Sequence, residues 1–355
     1  MKPEDSPMID RTGPVGEGPA GRQERPAARS PLQVALGVAK PIIGSRTAKF
    51  AFVAVAVGIG GYEIWRQWAD IHHALVRIGP LASLGALVAL LFMQFATLRS
   101  WQVLLAGLGS PLSTTVAGRI FFIGQLGKYV PGSVWPVLMQ MELGSAYKVP
   151  RAKSASASVL TMLLSLLTGL ITALVTLPFA AHSTGYLWVF LAAPVLIGCL
   201  HPKVLNPLLR LAFRLARRPG LDDPLTGRVL AHALAWSFAA WGFNGLQIWL
   251  LAVRLGAPLG QAALLSLGGY AFAWCVGFLV IFASAGIGIR ELLLVATLSP
   301  ILGTGAATAV ALVSRVVTTA SDLLVAGAAA FRRPLASRRP AETIPAPVPV
   351  PSKDR

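Results

Sequence analysis

Residues 124–136, Gly-Gln-Leu-Gly-Lys-Tyr-Val-Pro-Gly-Ser-Val-Trp-Pro, put Lys128, three glycines and two prolines among long apolar runs. An uninterrupted membrane-spanning helix cannot be built from them. Pro131 and Pro136 lack amide donors and disfavour helical geometry in the residue before each, and Gly132 permits a turn. Backbone that breaks at membrane depth persists only where protein or a water-filled cavity satisfies its polar groups. A second interruption, Ala283-Ser-Ala-Gly-Ile-Gly-Ile-Arg-Glu291, lies in the other half of the chain.

Each break has the makings of a half-helix N-terminus next to a cation. Ser133 can cap a helix beginning near Val134, and Gly286 to Gly288 can open another with Arg290 in its first turn. Inward-aimed helix N-termini beside Lys128 or Arg290 suit an anion such as the phosphate of a lipid headgroup. Ionisable side chains at membrane depth cost several kcal/mol unless paired or hydrated. The candidates are Arg119, Lys128, Glu142, Arg290, Glu291, Arg315 and Asp322. Arg315, Thr318, Thr319 and Asp322 share one helical face by their spacing, and Asn244 and Gln247 form a smaller polar stripe. The competing reading is structural, with Asp322 paired to Arg315 or Arg290 and the breaks serving as packing kinks.

The elements that must carry these residues are helices in a bilayer. The 355 residues are 55% hydrophobic and 13% charged, with a mean hydropathy of +0.66, which is outside the range of soluble domains. Apolar runs of about 20 residues recur, each long enough for the hydrocarbon core. The net charge of +17 does not call for nucleic acid, because 23 of the 31 Lys and Arg lie in 1–49, 143–154, 200–229 and 331–355, between or outside those runs. Such basic segments are expected on the cytoplasmic side.

Taken in order, residues 1 to about 45 are polar, basic and Pro-rich, and read as a disordered cytoplasmic tail without a secretory signal. A first span runs from about 50 to 65 and closes on Tyr62 and Trp65. A polar loop with His72 and His73 leads to a second span at 81–106. The broken segment 119–142 and a basic loop precede spans at 155–180 and 186–200. Leu205 to Arg218 has Leu and Ala at intervals of three and four opposite four arginines, which predicts an amphipathic helix on the inner leaflet. Spans follow at 229–253, 261–282, 291–302 and 305–330, making about eight. Both termini then face the cytoplasm. Cys199 and Cys275 fall inside apolar runs and are expected to be packing residues. No metal, cofactor or nucleotide-binding pattern is present. The two breaks, 154 residues apart, also suggest an internal repeat.

Two motifs carry a resemblance. Gly127-Lys-Tyr-Val-Pro-Gly-Ser-Val-Trp135 and Ala285-Gly-Ile-Gly-Ile-Arg-Glu291 resemble the signatures of the transmembrane, flippase-like domain of bacterial lysylphosphatidylglycerol synthases and its stand-alone relatives. The resemblance covers roughly 50–330. It implies an all-α polytopic membrane protein with broken or re-entrant segments near 119–142 and 283–302. The domain layout is a basic tail over 1–48, a flippase-like domain over 49–331 and a basic, Pro-rich tail over 332–355. It further implies movement of a phospholipid, polyprenyl lipid or glycolipid between leaflets of the cell membrane, without the soluble synthase domain of full-length relatives. The substrate-binding residues expected on this basis are Lys128, Tyr129, Pro131, Gly132, Ser133, Trp135, Gly286, Gly288, Arg290, Glu291, Arg315 and Asp322. Expected partners are membrane lipids, with a soluble synthase, a glycosyltransferase or a second copy of the chain left open. A membrane glycosyltransferase or lipid-modifying transferase is the rival reading; it needs paired carboxylates, and Glu142, Glu291 and Asp322 form no such motif. A third is a non-transporting scaffold for a soluble synthase.

Overall fold

The computed structural model describes residues 68–129, 134–181, 225–279 and 288–331, with Gly58, Tyr62 and Trp65 ahead of them. The described residues form nine α-helices and no strand. The expected tails, most of the first span, the span at 186–200, the amphipathic helix at 205–218, Cys199 and the site residues Pro131, Gly132, Ser133 and Gly286 lie outside the described residues.

The stretch around His72 and His73 is a helix, α1 (Trp68–Ile78), and not the loop expected. Its pattern explains this: Ile71, Ala74 and Ile78 recur at helical spacing and are buried, while both histidines are exposed. At Gly79, with φ 86°, the chain turns, and Pro80 opens α2 (Pro80–Gly107) at a position where its missing amide costs nothing. Arg254 Nε donates to the Ile78 carbonyl at 3.2 Å and so closes the end of α1.

The bundle is centred on α2 and α6 (Gly227–Arg254), which run antiparallel. Gly107 at one end of α2 lies against Val229 at the start of α6, and Gly79 at the other lies near Arg254. In a bilayer apolar surface alone does not hold helices together, so close backbone approach and hydroxyl contacts matter. Ser100 Oγ donates to the Ala233 carbonyl at 3.0 Å. On α5 (Arg151–Ala181), Thr168 lies 2.8 Å from the Ser237 hydroxyl and accepts from the Trp241 indole at 3.1 Å. Gly245 of α6 fits against Leu267, and Gly268 against Thr176, where a Cβ would collide. Both Leu267 and Gly268 belong to α7 (Leu259–Leu279), which also buries Cys275 as a packing residue.

Four described helices are long and apolar enough to cross a bilayer: Pro80–Gly107, Arg151–Phe179, Leu259–Phe278 and Thr304–Phe331. They coincide with four expected spans. Three others, α3 (Thr114–Gln125), α4 (Trp135–Ser145) and α8 (Ile289–Leu302), have 12, 11 and 14 residues. At 1.5 Å per residue each reaches only about 16–21 Å, too short for a core of ~30 Å. The last helix is α9 (Thr304–Phe331).

Candidate functional site

The first break is flanked by two short helices packed side by side. After α3 a single 3₁₀ turn, Leu126–Tyr129, redirects the chain before α4 returns alongside α3. Gly124 faces Gln140, and a Cβ on Gly127 would stand 2.8 Å from the backbone of Trp135 and Pro136, so the hairpin closes only because these positions lack side chains. Its open end sits where α2 ends and α5 begins. There Arg151 grips Glu142 with two hydrogen bonds of 2.8 Å, and Gly109 lies against Lys153. With Lys148 and Arg228 these residues form the basic end of the bundle.

The tip of the hairpin delivers Lys128 and Tyr129 to α9. Lys128 Nζ lies 2.6 Å from Asp322 Oδ2, and the Tyr129 hydroxyl donates to the same oxygen at 2.7 Å. The other carboxylate oxygen accepts from the Gln94 amide of α2. Asp322 is 2% exposed and Lys128 32%. Three donors from two other elements thus hold a carboxylate inside the bundle, which is the condition for an ionised group to remain there.

The second break ends in α8. Gly288, at φ 89°, is its N-cap, and the helix begins as expected with Arg290 in the first turn. Its amides are less open to a ligand than expected. Glu291 reaches back so that Oε2 accepts the Gly288 amide at 2.8 Å, as an acidic residue at the third helical position commonly does. Glu291 Oε1 takes Arg290 at 3.3 Å and Arg315 of α9 at 3.4 Å. Arg290 also lies over the Tyr270 ring, 5.7 Å from its centroid.

Both breaks therefore meet on one helix. The polar stripe of α9 is divided, Arg315 serving the second break and Asp322 the first, seven residues or about 10 Å along the axis. Thr319, between them, donates to the Arg315 carbonyl at 3.0 Å. The Asp322–Arg315 or Asp322–Arg290 pairing considered from spacing does not occur: each charge on α9 takes its partner from a different break. Trp135 starts α4 behind the hairpin tip. Gln247 donates to Ser314 at 3.0 Å, so the second polar stripe also faces α9, while Asn244 Oδ1 and Gln247 Oε1 are buried without a partner among the described residues.

Gln94 and Tyr270 were not among the sequence candidates. Gln94, an amide in the middle of an apolar span, is the available signal for the first; Tyr270 offers none. The described residues hold no cluster of three or more His, Cys, Asp or Glu able to ligate a metal.

The family model described as lysylphosphatidylglycerol synthase TM region matches residues 34–326, a range containing all of these side chains. No curated protein matches the chain.

Proposed function

Because the chain belongs to the lysylphosphatidylglycerol synthase TM region family, we propose that it moves a polar-headed lipid between leaflets, passing the headgroup phosphate over the charged cluster at the two breaks. The observation that carries this reading is a charge imbalance. Among the described residues, Lys128, Arg290 and Arg315 meet only Glu291 and Asp322, an excess of one positive charge inside an apolar bundle. One phosphodiester would neutralise it.

The two halves of the cluster have different roles. The Lys128–Asp322 contact is short and reinforced by Tyr129 and Gln94, so it fixes the hairpin tip against α9. The Arg290–Glu291 and Arg315–Glu291 contacts, at 3.3 and 3.4 Å, exceed the 2.7–2.9 Å usual for charge-assisted bonds. Each guanidinium has five N–H donors and spends little of that capacity on Glu291. The phosphate seat is therefore the Arg290–Arg315 side of the cluster, with Glu291 giving way to it and recapturing the arginines afterwards. Competition of this kind lets a headgroup enter and leave without an unpaired charge at membrane depth. In this reading the protein is a multi-pass component of the cell membrane, with its basic end and both termini facing the cytoplasm, and a separate enzyme supplies the lipid.

The test is reconstitution of the full chain in liposomes containing lipids labelled on the headgroup, with chemical quenching of the outer leaflet. Wild type should expose inner-leaflet label to the quencher faster than protein-free vesicles do. Unchanged movement across phosphatidylglycerol, lysylated, zwitterionic and polyprenyl headgroups would reject the proposal.

A further inference from the structure

The outer face of α2 carries a second feature. Val88, Phe92, Phe95 and Arg99 follow at intervals of four, three and four, a single stripe, with Leu91 beside it. Val88, Phe92 and Phe95 are 44%, 54% and 43% exposed. With Leu91 they line an open groove of about 480 Å³ with almost no polar surface. Its wall continues onto α6, where Phe243 stacks on Phe92 at 5.4 Å and Trp236 meets Phe95 edge-on at 6.0 Å.

Arg99 follows Phe95 on this stripe, just beyond the residues that line the groove and near the headgroup boundary. It is eight residues, about 12 Å, short of the basic end of a 28-residue helix. Among the described residues it has no carboxylate partner. Its guanidinium lies over the Trp236 ring at 5.8 Å, and Nη1 donates to Gln102 at 2.8 Å. Helical side chains lean toward the N-terminus, yet Arg99 bends three residues the other way, toward the basic end, as a snorkelling arginine does. Gln102 is held in turn by the Leu112 carbonyl at 2.8 Å, so the contact is braced. From Arg99 to Val88 is eleven residues, about 16 Å, close to half of the ~30 Å hydrocarbon core. The groove is therefore one leaflet deep, with a cation at its headgroup end.

We propose that the α2–α6 seam is a resident phospholipid site, distinct from the central cluster, in the leaflet at the basic end. The lipid phosphate sits on Arg99 beside Trp236, and one acyl chain lies along Phe95, Phe92, Leu91 and Val88. The occupant is a phospholipid and not a partner helix because the groove pairs apolar depth with an unneutralised cation at the phosphate level. Exposed Arg228, eight residues before Trp236 on α6, adds positive charge at the same end and favours an anionic headgroup.

The experiment is native mass spectrometry of the full-length protein, titrated in detergent with phosphatidylglycerol and, separately, with diacylglycerol of the same chains. Arg99→Ala should weaken binding of one phosphatidylglycerol about tenfold, and Arg99→Lys should retain part of it. Phe95→Ala should weaken both ligands. Diacylglycerol should bind wild type and Arg99→Ala alike, and an Arg290→Ala protein should keep this lipid. Equal phosphatidylglycerol occupancy in wild type and Arg99→Ala overturns the proposal. So does a lower dimer fraction in Arg99→Ala with unchanged lipid, which would make the surface an interface between copies. Should Arg99→Ala fail to purify, Arg99→Gln and Phe95→Ala decide the matter by the same comparison.

Discussion

Replacing Lys128 by Gln should destabilise the protein more than replacing Asp322 by Asn, although both break the same ion pair. The asymmetry follows from what is left behind. Without the ammonium, a carboxylate only 2% exposed keeps Tyr129 and Gln94 as donors but loses its counterion. Breaking a buried pair in this way costs about 3–5 kcal/mol. Without the carboxylate, the stranded charge is Lys128, which is 32% exposed and partly hydrated, so the loss should be about 1–3 kcal/mol. The double variant strands no charge and should lose only about 1–2 kcal/mol, a coupling of at least about 2 kcal/mol. The assay is a double-mutant cycle of unfolding free energies in mixed micelles at fixed pH and lipid. Additive single effects, or a larger loss in Asp322→Asn than in Lys128→Gln, would refute the reasoning.

On the transport side, Arg290→Ala should lower lipid movement in liposomes at least about tenfold while the protein stays monodisperse, and Arg290→Lys should rescue little because an ammonium cannot replace the guanidinium fork. Glu291→Gln should cost about 1 kcal/mol of stability through the weakened α8 cap and should slow headgroup release, seen as tighter retention of co-purified lipid. Gly127→Ala should open the hairpin, since the new methyl meets backbone at 2.8 Å; a loss of about 1–3 kcal/mol and cleavage by added protease between α3 and α4 are the expected readouts.

The all-α membrane class and four of the spans were legible because apolar length is a local property of sequence. So was the opening of α8, where Gly288 precedes Arg290 in the first turn. The helix around His72 and His73 is hard to read from sequence because adjacent polar residues interrupt the Ile71, Ala74 and Ile78 stripe beneath them. Pairing within the cluster could not be read at all. Asp322 takes its partners from positions 94, 128 and 129, some 190 to 230 residues away, and helical periodicity carries no information about which faces meet. The sequence leaves Asp322 with Arg315 or Arg290 as the structural pairing; the fold gives Asp322 and Arg315 partners from different breaks. Arg99 does not stand out in the sequence because it lies toward the end of a long span, where arginine is usually a topology marker.

The central claim is that a lipid phosphate rests on the Arg290–Arg315 side of the cluster. Its most direct test is photo-crosslinking with a phospholipid bearing the reactive group next to its phosphate, followed by peptide mapping of the full-length protein in membranes. The account predicts label on α8 near Arg290 and on α9 near Arg315, removed by Arg290→Ala and competed by unlabelled lipid. Label confined to the outer face of α2, with none on α8 or α9, would contradict it.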